Sequence, residues 1–141
     1  MKILLIDDDP MILDLLTLTI NRHRPSWKVL SSLHPIQGLE LLRRSKVDAV
    51  ISDLELPGMY GSAVLRRVRK ASPEIITIMH SSVDAPPEDL IEGNIIDAFF
   101  KKPYSIVSLI EEIETLHTER RCAPRFLSEY SKPTMLSIKN L

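Results

Sequence analysis

Short apolar runs alternate with helical periods along most of this chain, and that alternation constrains the fold more than any other feature. Residues 2–6 end in Ile3 to Ile6, a run too short and too β-branched for a helix, and it reads as a buried parallel strand. Comparable runs follow at Trp27–Leu33 (weaker), Val47–Ser52, Ile75–His80 and Ile96–Lys101. Between them lie helical spacings. The first starts at Asp9-Pro10, with Asp9 as cap and Met11, Ile12, Leu15, Leu16 and Thr19 as its apolar stripe. Pro35 to Arg44 presents Ile36, Leu39, Leu41 and Leu42, and 62–71 turns Val64, Leu65 and Val68 inward. A marginal helix is expected over 87–92, opened by Pro86-Pro87 and ended by Gly93-Asn94. A last helix runs from Pro103 to about residue 119, with Ile106, Leu109, Ile110, Ile113 and Leu116 at helical spacing. Strand then helix, repeated through the chain, demands an α/β fold of the (βα)5 kind: a parallel sheet with helices on both faces.

At 141 residues the chain fits one domain with a real core, and its charged fraction of 26% is ordinary for a soluble protein. The single cysteine, Cys122, excludes an internal disulfide, and no Cys/His spacing suggests zinc. His23, His34, His80 and His117 are scattered and read as surface or packing residues. No apolar stretch is long enough to cross a membrane, and Met1-Lys2 leads straight into a strand, so a cytoplasmic protein without a signal peptide is expected. Charge is uneven. The tail 120–141 carries Arg120, Arg121, Arg125, Lys132 and Lys139 against Glu129 alone, which leaves the body acidic. An acidic body argues against nucleic acid as its partner.

The chemistry lies at the strand ends. Asp7, Asp8 and Asp9 close the first run, Asp53 closes the third, and Lys102 closes the fifth. In an open parallel sheet, functional groups gather at the carboxyl ends of the strands, so acids from two strands and a lysine from a third meet in one pocket. Clustered carboxylates repel one another, and a hard divalent cation relieves that repulsion. Such a pocket suits phosphoryl transfer to a carboxylate. Mg²⁺ held by Asp7 and Asp8 lowers anion repulsion, Asp53 serves as nucleophile, Lys102 pairs with a phosphoryl oxygen, and Ser81 donates a hydrogen bond.

Four motifs carry these residues: ILLIDDDP, DAVISDLELPGMYG, IITIMHSS and DAFFKKP. Together they make residues 1–119 resemble a receiver domain of the two-component response regulators. The resemblance implies a flavodoxin-like, doubly wound, five-stranded parallel sheet of order 2-1-3-4-5. It implies that Asp53 accepts a phosphoryl group from a sensor histidine kinase or a histidine phosphotransfer protein. It also implies that Asp8 is a direct Mg²⁺ ligand, that Asp7 acts through water, and that the backbone carbonyl of Glu55 completes the site. Lys102 resembles the family lysine that pairs with the phosphoryl group. Ser81 best fits the switch hydroxyl, with His80 and Ser82 as alternatives. Phe99 stands where the family places a switch tyrosine or other aromatic. Glu55 and Val83 flank the site where phosphoryl lifetime is tuned.

The tail is too short for an effector domain, so the reading is a stand-alone receiver that signals to a downstream protein target or relays phosphate, and not a multi-turnover enzyme. Its Phe126, Leu127, Tyr130, Met135, Leu136 and Ile138 can pack loosely, dock on the body, pair with a second subunit as a homodimer, or fold on a partner. Two other readings stand beside it. One is a pseudo-receiver that binds partners without phosphorylation. The other is an aspartate-nucleophile Mg²⁺ phosphatase, since Asp7-x-Asp9 is similar to the haloacid-dehalogenase motif. Met11 stands where that family usually has Thr or Val.

Overall fold

The computed structural model describes residues 1–122 and the backbone of 137–139. The chain runs β1 (Lys2–Ile6), α1 (Pro10–His23), β2 (Lys28–Ser32), α2 (Pro35–Arg44), β3 (Ala49–Asp53), α3 (Gly61–Ala71), β4 (Ile76–Ser81), α4 (Glu88–Glu92), β5 (Ala98–Lys101), α5 (Ile106–Cys122) and β6 (Ser137–Lys139). The strands lie in the order β2-β1-β3-β4-β5-β6, and every neighbouring pair is parallel. The expected 2-1-3-4-5 order holds. The chain steps outward to β2 and then crosses back over β1 to β3, so a crevice opens at the carboxyl ends of β1 and β3. The short β6, which adds to the β5 edge, was not foreseen from the sequence. The other readings of the tail fall outside the described residues.

Strand alternation sorts the core into two layers. On one face Ile3, Leu5, Ile51, Ile78 and Phe100 pack against Leu13, Leu16 and Ile20 of α1 and Leu109, Ile110 and Ile113 of α5. On the other, Leu4, Ile6, Val50, Met79 and Phe99 meet Val64, Leu65 and Val68 of α3 and Leu90 of α4. Truncating one such fully buried leucine to alanine costs about 2–5 kcal/mol.

Two inward faces differ from the expected ones. Helix α1 buries Leu13, Leu16 and Ile20, while Met11, Leu15 and Leu18 point to solvent. Leucines almost all round this helix leave periodicity unable to fix its phase. In α2, Leu39, Leu41 and Leu42 pack against the second layer as expected, but Ile36 is exposed and the fully buried positions are Pro35 and Gly38. Gly38 sits so close to Ile6 that a β-carbon there would lie 2.6 Å from the Ile6 side chain. Helix α4 spans five residues, and Asn94 follows it with a φ of 54°, a left-handed conformation that asparagine tolerates.

Candidate functional site

Asp7, Asp53 and His80 share one parity with the residues facing α1 and α5, so all three gather at the carboxyl edge on that side of the sheet. Backbone approach tightens this corner. A β-carbon on Gly61, at the start of α3, would stand 1.7 Å from the carbonyl oxygen of Asp53, so the turn after β3 requires glycine there. The Lys102 N–H donates to the Ser81 carbonyl at 2.8 Å, tying the ends of β4 and β5 together.

The side chains converge as the strand ends foretell. Asp7 is 1% exposed. Its Oδ1 accepts from the Asp9 N–H at 2.9 Å, and Asp9 in turn caps α1 by accepting from the Met11 N–H. Its Oδ2 accepts from Lys102 Nζ at 2.8 Å. The same ammonium lies 3.3 Å from Asp53 Oδ2, so one lysine bridges two acids. Burial pushes the Asp7 carboxyl up, but the close His80 ring and hydrogen bonds from Lys102 and the Asp9 backbone outweigh it and hold the group at about 2. Asp53 moves the other way: burial raises it, Lys102 opposes the rise, and the neighbouring Asp7 charge adds to it.

Each of Asp7, Asp8 and Asp53 offers one carboxylate oxygen within 4.8 Å of the others. Hard oxygen donors from three acids, balanced by a single lysine, fit a magnesium-sized cation. A cleft of about 290 Å³ opens beside them, lined by Asp8, Asp53, Glu55, Ser81, Ser82, Val83 and Lys102. Ser81 and Ser82 thus both face the cleft, whereas His80 does not. The Ser81 hydroxyl accepts from the Val83 N–H at 3.3 Å. Phe99 is fully buried on the opposite layer, against the α3 and α4 side.

The sequence reading named His80 only as an alternative at the switch position or as a surface or packing residue, and not as a partner of Asp7. Its ring is 1% exposed, with Nδ1 2.5 Å from the Tyr104 hydroxyl and Nε2 2.9 Å from Asp7 Oδ2. The second contact is close but poorly directed, and Nε2 lacks a well-aligned hydrogen-bond partner. Burial pushes the imidazole down, more than the Asp7 carboxylate raises it, which favours the neutral ring. The available signal was a lone polar ring at the end of the apolar run IITIM.

Residues 3–114 match the family model described as response regulator receiver domain. Among curated relatives, the transcriptional regulatory protein GlrR of Escherichia coli is 34% identical over 115 residues, covering 79% of this chain and 25% of that protein. The DNA-binding response regulator MtrA of Mycolicibacterium smegmatis is 29% identical over 112 residues, covering 79% of this chain and 48% of that protein. The chain therefore spans between a quarter and about half of the length of these relatives. A CheY-like receiver domain protein from Methanospirillum hungatei superposes with a TM-score of 0.77 at 25% identity, over 85% of this chain and 95% of that one. An uncharacterized protein from Neptuniibacter caesariensis gives 0.76 at 27% identity, over 95% and 96%. Among the described residues, no helix is long and apolar enough to cross a membrane.

Proposed function

Because this chain belongs to the response regulator receiver domain family, we propose that Asp53 accepts a phosphoryl group from a sensor histidine kinase or a histidine phosphotransfer protein in the cytoplasm. The observation that carries this reading is the convergence of Asp7, Asp8 and Asp53 at the switch point of the sheet, with one lysine bridging Asp7 and Asp53. Three carboxylates against one ammonium leave the pocket anionic, an arrangement that suits a bound cation and destabilises the empty site.

In the transfer, a carboxylate oxygen of Asp53 forms a bond to phosphorus as the bond from phosphorus to the donor's imidazole nitrogen breaks, and that nitrogen keeps the electron pair. Asp8 and Asp53, with the Glu55 carbonyl, would hold Mg²⁺ directly and Asp7 through water. When bound, the ion supplies neutralisation of the phosphoryl oxygens. The Lys102 charge favours the Asp53 carboxylate and opposes the rise that burial and the Asp7 charge cause. The same ammonium then pairs with a phosphoryl oxygen, and the Ser81 hydroxyl donates to another. Drawing Ser81 and Lys102 toward the new charge moves the ends of β4 and β5. Phe99, buried in the layer that faces α3 and α4, would register that movement.

The output is a changed protein-binding surface, read by a downstream protein target or a second copy, or onward relay of the phosphoryl group. One acceptance event per cycle makes residues 1–119 a signalling module and not a catalyst of many turnovers. Acetyl phosphate with Mg²⁺, followed by intact mass, tests this. The wild type should gain one phosphoryl group, and Asp53→Asn should gain none. A wild type that takes up neither phosphoryl nor beryllofluoride is a pseudo-receiver. Catalytic hydrolysis of a phosphate monoester makes it a phosphatase.

A further inference from the structure

The buried ring of His80 stands beside an acid that already has a better-aligned partner. Lys102 Nζ occupies Asp7 Oδ2 at 2.8 Å, while His80 Nε2 waits 2.9 Å from the same oxygen without a well-directed hydrogen bond. Lys102 is the only group shared between Asp7 and Asp53 among the contacts of the described residues. When the ammonium turns to a phosphoryl group on Asp53, Oδ2 of a fully buried carboxylate loses its cationic partner. An orphaned buried acceptor is costly, so the departure of Lys102 is resisted unless another donor takes over.

We propose that His80 is that second donor, a positioning residue that takes over Asp7 Oδ2 and so frees Lys102 to engage the phosphoryl group. This inference rests on the phospho-acceptor reading of Asp53. Ring chemistry fixes the roles. Asp7 is a carboxylate and can only accept, so the nitrogen facing it carries the proton, and the neutral ring has Nε2–H and a bare Nδ1. Nδ1 then accepts from the Tyr104 hydroxyl at 2.5 Å. Tyr104 packs tilted against Phe100, with ring centroids 5.2 Å apart, which fixes the hydroxyl that selects this tautomer. The donor is thus prepared in advance, and a small turn of the Asp7 carboxylate straightens the bond.

The test separates ion binding from phosphoryl-analogue binding in the full chain. Mn²⁺ affinity is read by electron paramagnetic resonance, and beryllofluoride affinity by fluorine NMR at saturating Mg²⁺. His80→Leu should leave Mn²⁺ affinity within about threefold and weaken beryllofluoride about tenfold or more, the cost of one buried unsatisfied acceptor. His80→Gln restores a side-chain N–H donor and should recover most of the loss. Tyr104→Phe keeps ring packing while removing the tautomer lock, and should weaken beryllofluoride by about threefold, a small fraction of a hydrogen bond to a charged group. Nitrogen-15 spectra of His80 should show the Nε2–H tautomer, its proton shifting downfield when beryllofluoride binds. An Nδ1–H tautomer in both states overturns the inference, as does equal beryllofluoride affinity in His80→Leu and wild type. No beryllofluoride uptake by the wild type overturns the acceptor reading itself, a result distinct from both.

Discussion

Both ends of the sheet bury charge, and they do so with opposite balance. At the amino end, Asp97 sits between two guanidiniums: Oδ2 accepts from Arg69 Nη2 at 2.9 Å and from the Thr77 N–H at 2.8 Å, and Oδ1 from Arg120 Nη2 at 2.6 Å. Arg120 also donates to the Glu74 carbonyl at 2.7 Å, and Arg69 to that of Pro73 at 2.8 Å. One acid therefore ties α3, β4, β5 and α5 together, with its oxygens fully used. At the carboxyl end, Asp7 and Asp53 share Lys102, His80 stands against Asp7, and Asp8 adds a third carboxylate beside them. In the first cluster the acid finds all its partners within the chain, while Arg69 Nε is left without one. The second holds more carboxylates than cations. A surplus of carboxylates beside a cleft, more than burial alone, marks the candidate site.

The sharpest way to break this comparison is to remove the acid of the closed cluster. Asp97→Ala should cost about 3–5 kcal/mol in urea unfolding, since two half-buried guanidiniums lose their counter-charge. Phosphoryl uptake at Asp53 should survive under conditions where the variant is folded. Loss of uptake with unchanged stability would reverse the roles assigned to the two ends. Next in size is the ion itself. Mg²⁺ at a hundredfold excess over its Kd should stabilise the wild type by about 2.7 kcal/mol, read as a rise in Tm. Asp97→Ala should keep that gain and Asp8→Asn should lose it.

A smaller effect has the opposite sign from most core substitutions. Without Mg²⁺, Asp8→Asn should raise stability by about 1 kcal/mol, because it relieves repulsion at a site kept for function and not for folding. A destabilised Asp8→Asn protein would mean that the acid cluster supports the fold. Smallest is the surface pair Arg24–Glu114, which links α1 to α5. The Arg24 hydrogen bond holds the Glu114 carboxyl below its ordinary 4.5. Its folded value is the lower one, so its contribution is present above 4.5 and fades as pH falls through the depressed value. Glu114→Gln should flatten the acid limb of a stability–pH curve only slightly, as both groups are partly exposed.

Much of the architecture was written in local pattern. Five apolar runs and the spacings between them dictate the parallel sheet, and Asp7, Asp53 and Lys102 were found because each closes such a run. Asp9 as a cap and the weak α4 followed from single residues and their neighbours. Other features depend on partners far along the chain. His80 meets Tyr104 across 24 residues, and Asp97 reaches Arg69 across 28, so no window of sequence contains either pair. The phase of α1 was lost for a different reason: Leu13, Leu15, Leu16 and Leu18 leave hydrophobicity on every side, and only packing selects Leu13 and Leu16. The brief β6 carries too few residues to announce a strand.

A crystal structure with Mg²⁺ and beryllofluoride would test the open cluster most directly. The expected map has the fluoride complex on the Asp53 carboxylate, a metal ion between Asp8 and Asp53, and Lys102 Nζ moved from Asp7 to a fluorine. Density that leaves Asp53 bare at saturating beryllofluoride, or an adduct on another carboxylate, would contradict Asp53 as the acceptor.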